Sequence, residues 1–177
     1  MLQSQTHPSV RPAVPADADC LARMIRALAR YEGKEDVDHI TARAVESWFF
    51  DADAPCNALL AESGDSILGY LAWYPVFSLF KGGRVLLVEN LWVEEAARGS
   101  GTGRVLVQAL AREAQTRRID RIELNVRRDN EQTRGFYRGL GFSYPGEEVC
   151  RIEDEALARL ARSPEGTRVG KISTAPR

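Results

Sequence analysis

Three alternating glycines join a long apolar run to a helical stretch, and this junction constrains the chain more than any other segment. Val85–Val93 (VLLVENLWV) is apolar almost throughout, the pattern of a strand covered on both faces. Arg98-Gly99-Ser100-Gly101-Thr102-Gly103 follows soon after. From Gly101 to Thr116, apolar residues at Val105, Leu106, Ala109, Leu110 and Ala114 predict a helix packed on one side. Glycines permit positive φ and let backbone N–H groups approach a ligand. The helix start adds unpaired N–H donors and a partial positive charge. An anion fits such a place, phosphate above all, with Arg98 at its rim. Spacing then decides among phosphate motifs. A dinucleotide fingerprint counted from Gly99 needs glycine where Arg104 stands, and counted from Gly101 it needs glycine at Leu106. No Gly-Lys pair has the P-loop spacing. What remains is R-x-x-G-x-G, and on the loop alone a ligand-free turn stays open as the alternative.

Around this junction the pattern predicts β-α-α-β-β-β-α-β-α-β, an α/β domain with a mixed sheet. Val10–Val14 reads as a first strand. Asp17 is a candidate N-cap for a helix carrying Leu21, Ile25, Leu28 and Ala29 on one face. Thr41–Phe50 reads as a second helix. Ala58–Glu62 and Ile67–Tyr74 read as strands joined by a turn at Ser63-Gly64-Asp65. Arg121–Val126 alternates as a strand, and Asn130–Leu140 is a short helix that Gly141 stops. Phe142–Tyr144 and Val149–Ile152 are expected to finish the sheet, and Asp154–Arg162 to form a last helix. One domain is expected over residues 10–162, after a flexible stretch 1–9 and before a polar, mobile tail 163–177.

Twenty-four basic side chains stand against 25 acidic ones, a net charge of −1, so no field of one sign gathers nucleic acid or anionic lipid. Cys20, Cys56 and Cys150 are odd in number and form no CxxC, and the histidines are His7 and His39. Neither a metal site nor a disulfide framework is expected. The start, MLQSQTHPSV, has no apolar core of a secretory signal, and no apolar run reaches membrane-spanning length. A cytoplasmic protein with reduced cysteines is expected.

Several segments together resemble the GNAT superfamily of N-acetyltransferases, most closely its diamine (spermidine/spermine and thialysine) branch. They are Val10–Asp17 (VRPAVPAD), Leu28-Ala-Arg-Tyr31-Glu32, Val88-Glu89-Asn90-Leu91-Trp92-Val93, the Arg98–Gly103 loop, Asp129-Asn130-Glu-Gln-Thr133, and Gly135-Phe136-Tyr137-Arg138-Gly-Leu140-Gly141-Phe142. The resemblance runs from Val10 to about Leu160 and implies the GNAT fold, with a mixed, mostly antiparallel sheet of about six to seven strands flanked by helices. It also implies acetyl-CoA as co-substrate. Leu91, Trp92 and Val93 would carry its pantetheine arm as an added strand, through the backbone groups of Leu91 and Val93. Arg98, Gly99, Ser100, Gly101, Thr102 and Gly103 would hold the pyrophosphate. Asn130 and Thr133 would meet the cofactor further along. A homodimer is implied in the same way.

Amide formation from a thioester needs a neutral amine and a protonated or otherwise stabilised thiolate. A tyrosine hydroxyl, protonated at neutral pH, can donate to that thiolate. Tyr137 matches the family's catalytic tyrosine, and Glu89 its substrate-side glutamate, able to take the amine's proton directly or through water. Backbone N–H groups near Leu91 would stabilise the oxyanion. Tyr31, Glu32, Glu89 and Glu123 match substrate-contacting positions, with Glu147 and Glu148 near a late acidic one. Carboxylates suit a cationic amine. One departure stands out: where the branch has an acidic pair, Glu89 is followed by neutral Asn90. That weakens the case for a multiply charged polyamine. Acetylation of a small primary amine is the leading expectation, with a protein lysine or N-terminus, or acyl-CoA sensing without turnover, as alternatives.

Overall fold

A computed structural model of the chain describes residues 8–146 and 149–162. Glu147, Glu148, the first seven residues and the segment 163–177 lie outside the described residues. The sheet grows as a meander: β1 (Ser9–Pro12), β2 (Asn57–Ser63), β3 (Ser66–Ser78) and β4 (Gly83–Val93) pair antiparallel in sequence order. β5 (Ile122–Leu124) returns through a helix and joins β4 in parallel. The predicted turn at Ser63-Gly64-Asp65 holds, with Gly64 at φ +56°. The β3–β4 ladder runs from Ser78↔Gly83 to Gly69↔Val93.

The described residues form five strands, fewer than the six to seven expected. Phe142–Tyr144 and Val149–Ile152 are not strands. Gly141 and Gly146 take φ of +92° and +90°, and Pro145 offers no N–H to a ladder, so the chain around Phe142–Tyr144 cannot run extended for long. β5 is also three residues rather than six, because the chain turns at Arg127–Asn130, where the Asn130 N–H donates to the Arg127 carbonyl.

Four helices flank the sheet: α1 (Ala18–Tyr31), α2 (Ala42–Phe49), α3 (Thr102–Thr116) and α4 (Glu131–Arg138). Residues paired across strands share a face. Leu60, Tyr70 and Trp92 therefore form one row, which packs with Leu21, Met24 and Val45 of α1 and α2. Leu59, Leu71 and Leu91 form the opposite row, on the side where α3 buries Leu106, Leu110 and Ala114. Two predicted helix ends shift. Asp17 closes a single 3₁₀ turn, Pro15–Asp17, ahead of α1; its carboxylate accepts from the Val14 N–H and from Arg11 rather than capping α1. α4 stops at Gly139, two residues before Gly141.

The chain divides after Leu140 into two units, the first holding the whole sheet and α1–α4. The second contains α5 (Asp154–Arg162), with an Arg159–Glu155 pair at 3.2 Å along its surface. Among the described residues, no helix is long and apolar enough to cross a membrane. Nor does any group of three or more His, Cys, Asp or Glu gather there that could hold a metal ion.

Candidate active site

The site grows from an irregularity in β4. Ala72 faces Asn90 while the next residue, Trp73, faces Val88, so Glu89 is an extra residue in the strand, a β-bulge. Pairing with β5 covers only Leu86, Leu87 and Val88. From Asn90 to Val93 the strand is thus laddered to β3 on one side, and from Glu89 onward it is unpaired with β5 on the other. The Glu94 N–H donates to the Leu68 carbonyl on the β3 side. Alternation along the strand then turns the backbone groups of Leu91 and Val93 toward the open edge. The sequence-predicted trio Leu91–Val93 therefore lies where an extended ligand could add as a strand.

Just beyond, Arg98 is extended, and Gly99 and Gly101 take φ of +77° and +89°. An L side chain rarely adopts that conformation, which explains two of the three glycines. Gly103 serves another purpose. A Cβ placed there would meet Phe136 Cζ at 3.3 Å and Val93 Cγ2 at 3.7 Å, so its absence lets α4 approach the start of α3. No side chain caps α3, and its first i→i−4 bond is Val105 N–H to the Gly101 carbonyl. The N–H groups of Gly101, Thr102, Gly103 and Arg104 have no partner within the helix. The hydroxyls are committed inward: Ser100 donates to the Ala97 carbonyl at 2.7 Å, leaving Thr102 to donate to Ser100 at 2.8 Å. What Ser100 and Thr102 can offer a ligand is backbone.

Arg98 does not project freely. Its guanidinium carbon lies 4.8 Å from the Trp92 ring centre and 5.3 Å from that of Tyr31, and its Nε donates to the Val93 carbonyl at 3.2 Å. Tyr31 and Trp92 meet edge-to-face at 5.8 Å. Tyr31, a predicted substrate residue, thus stands on the glycine-loop side.

α4 begins at Asn130, whose Oδ1 accepts from the Thr133 N–H at 3.0 Å. Asn130 retains its amide N–H₂ for other partners. Phe136 packs toward Gly103 and Val93, and Tyr137 beside it is buried, the two rings 5.0 Å apart. The predicted catalytic tyrosine is therefore carried by the helix that closes on the end of β4.

On the α1/α2 face a cavity of about 200 Å³ is lined by Ile25, Trp48, Phe49, Cys56, Ala72, Glu89 and Asn90. A second, of about 260 Å³, shares Ile25, Trp48, Glu89 and Asn90 and extends past Glu32, Lys34, Asp36 and His39. The bulge places Glu89 and Asn90 in both walls. The Tyr74 hydroxyl lies 3.4 Å from Glu89 Oε2, and the Asn90 amide donates to the Glu89 carbonyl at 2.9 Å. Burial pushes the Tyr70 phenol well above the usual tyrosine value, helped by the negative charges of Glu32 and Glu89. Burial raises Tyr74 too, and then Glu89 does. Cys56 rises for the same two reasons, which keeps it a neutral thiol near pH 7. Glu32 and Glu89 line the same cavity. Glu123 sits exposed on β5 opposite Leu87, paired with Arg121 at 3.1 Å.

Trp48, Phe49 and Cys56 were not among the predicted site residues. Val45, Trp48 and Phe49 have the i, i+3, i+4 spacing of the inward face of α2, a signal for burial that does not by itself indicate a cavity.

Comparison with known proteins agrees with this geometry. The profile of the Acetyltransferase (GNAT) family matches residues 21–142. Thialysine N-epsilon-acetyltransferase of Bos taurus is 28% identical over 164 residues, covering 86% of this chain and 96% of that protein. Mycothiol acetyltransferase of Kineococcus radiotolerans is 36% identical over 145 residues, covering 80% of this chain and 44% of that protein. Among solved structures, an integron cassette protein from the mobile metagenome of V. cholerae shares the fold with a TM-score of 0.75 at 22% identity, over 89% of this chain and 99% of that one. Fold, glycine loop and family profile coincide, and the chain belongs to the GNAT family of acetyltransferases, enzymes of the acyltransferase class.

Proposed function

We propose that this enzyme transfers an acetyl group from acetyl-CoA to the nitrogen of a small primary amine, by direct attack within a ternary complex. The observation that carries the reading is the juxtaposition in β4: an edge open from Glu89 to Val93, beside the uncapped glycine-rich start of α3, with Glu89 turned into a cavity. The residues fit the co-substrate. Leu91 and Val93 would pair with the pantetheine arm, and the N–H groups of Gly101, Thr102 and Gly103 would bind the pyrophosphate at the helix N-terminus. Arg98 and Asn130 would add contacts, with Thr133 near Asn130.

Acetyl-CoA supplies a thioester, and the chain's own groups manage protons and position. Glu89 takes a proton from the ammonium, directly or through water, leaving a neutral nucleophile. The Leu91 N–H, at the open edge, receives the carbonyl oxygen as negative charge gathers on it. As the C–N bond forms and the C–S bond breaks, Tyr137 donates its proton to the departing sulfur. The nitrogen sheds its second proton. One of its two lost protons restores Tyr137 and the other leaves through Glu89 to solvent, so the balance is amide, free thiol and one released proton. No cysteine takes part. The relatives named for acetylating thialysine and mycothiol support a small-molecule acceptor. We take the enzyme to be a cytoplasmic homodimer that needs no metal and engages neither nucleic acid nor membrane. Thiol release from acetyl-CoA with a panel of primary amines tests the proposal. Release that depends on amine is expected; none with any amine overturns it.

A further inference from the structure

We infer that the acceptor is a monocationic amine with an apolar tail, its ammonium at Glu89 and its tail in the lobe walled by Ile25, Trp48, Phe49, Cys56 and Ala72. The inference rests on the acyl-transfer reading above and specifies its substrate.

Charge fixes the head group. The Glu89 carboxylate has a neutral neighbour, the Tyr74 hydroxyl, and among the described residues no Lys, Arg or His is paired with it. A single cation would satisfy it. A second cation finds little. Asn90, beside Glu89, is uncharged, and its Oδ1 already faces the Tyr70 hydroxyl at 3.5 Å. In the polar lobe Glu32 lies 3.4 Å from Lys34, which competes with a ligand cation for it. Asp36 is 3.8 Å from His39, and its side chain is 93% exposed, where attraction for a ligand is screened by water.

The other lobe fixes the tail. Its walls away from Glu89 and Asn90 are two aromatic rings, Ile25, the small Ala72, and a thiol that burial keeps neutral. The Cys56 N–H is already spent on the Trp48 carbonyl. The walls offer a polar tail no charged group, only the Trp48 indole N–H and a weak thiol, so it loses more water contacts than it regains, whereas an apolar one gains by burial. An apolar cavity of about 150 Å³ accepts benzene. About 200 Å³ therefore admits a phenyl ring with one or two methylenes, or a branched alkyl chain.

The test compares 2-phenylethylamine, ethylamine and cadaverine as acceptors, with thiol release from saturating acetyl-CoA as readout. The expected kcat/KM for 2-phenylethylamine exceeds that of each of the other two by about tenfold or more. Ala72→Leu, which fills the lobe, and Trp48→Ala, which removes a wall, should each lower the 2-phenylethylamine to ethylamine ratio by about tenfold. Ala72 is buried in the core, so the half-buried Trp48 provides the variant more certain to fold. Equal use of 2-phenylethylamine and ethylamine, a preference for cadaverine, or a ratio unmoved in the folded variants overturns this inference and leaves acyl transfer standing. Absence of thiol release with every primary amine tried overturns both.

Discussion

Tyr137 and Tyr31 stand in contrasting surroundings, one buried and one exposed. Tyr137 is 4% exposed, on the short helix that packs Phe136 against the start of α3. A buried phenol next to a thioester can serve as an acid without competition from bulk water. Replacing it by Phe removes the proton and keeps the ring. Tyr137→Phe is therefore expected to lower kcat by about 10²-fold while acetyl-CoA binding, measured by calorimetry, changes by less than about twofold. Unchanged turnover would remove Tyr137 from the mechanism. Tyr31 matches a substrate position, yet its ring contacts Arg98 and Trp92. Cation–π contacts contribute about 0.5–1 kcal/mol when exposed, so losing one loosens Arg98 rather than displacing it. Tyr31→Ala should raise the acetyl-CoA Kd by about two- to fivefold, with Tyr31→Phe close to wild type. A rise confined to the amine KM would return Tyr31 to the acceptor side.

At the scale of elements, the decisive unit is β4, the loop and α3 taken together. Gly101 is the N-cap of α3 at φ +89°. Gly101→Asp adds strain of about 1–2 kcal/mol there and, in the proposed cofactor site, sets a carboxylate against the pyrophosphate. Gly101→Asn shares the shape and tolerates the left-handed region to a similar degree, but lacks the charge. Loss of acetyl-CoA binding in the Asp variant with partial binding in the Asn variant is the expected pattern. Equal losses would point to geometry alone, and retained binding in Asp would remove the loop from the cofactor site. This unit was legible in the sequence because its signals are local: apolar continuity in Val85–Val93, glycine spacing, and helical period after Gly101. The bulge at Glu89 was not, since it exists only in the register against Ala72 and Trp73. The cavity was not legible either. Its walls come from α1, α2, the residue before β2, β3 and β4, and no window of sequence contains them. Phe142–Tyr144 failed as a strand for a local reason, Pro145 and two glycines, that an apolar pattern alone does not weigh.

Over the whole molecule, the layers on either face need the N-terminal strand fastened to the first helix. Arg11 does this from β1. Its Nε donates to Glu62 on β2 at 2.8 Å, and its two terminal nitrogens donate to Asp17 at 2.7 and 2.9 Å. Asp17 also accepts from the Val14 N–H at 2.7 Å, and it is 9% exposed. The Arg11 hydrogen bonds hold the Asp17 carboxyl below its ordinary value of 3.8, against the opposing effect of burial. A carboxylate whose folded pKa is depressed stabilises the fold above its unfolded pKa and loses that contribution as pH falls through the folded one. Thermal stability should therefore be level near neutrality and decline as the pH drops below about 4. Asp17→Asn keeps an acceptor for Val14 and loses the charge. It is expected to cost about 1.5–3 kcal/mol at pH 7 and to flatten part of the acid decline, read from denaturant unfolding at a series of pH values. The test is specific because Asn cannot titrate. If the variant and the wild type lose stability in parallel as the pH falls, the acid sensitivity belongs to other carboxylates, and the Arg11–Asp17 clasp acts through packing instead of charge.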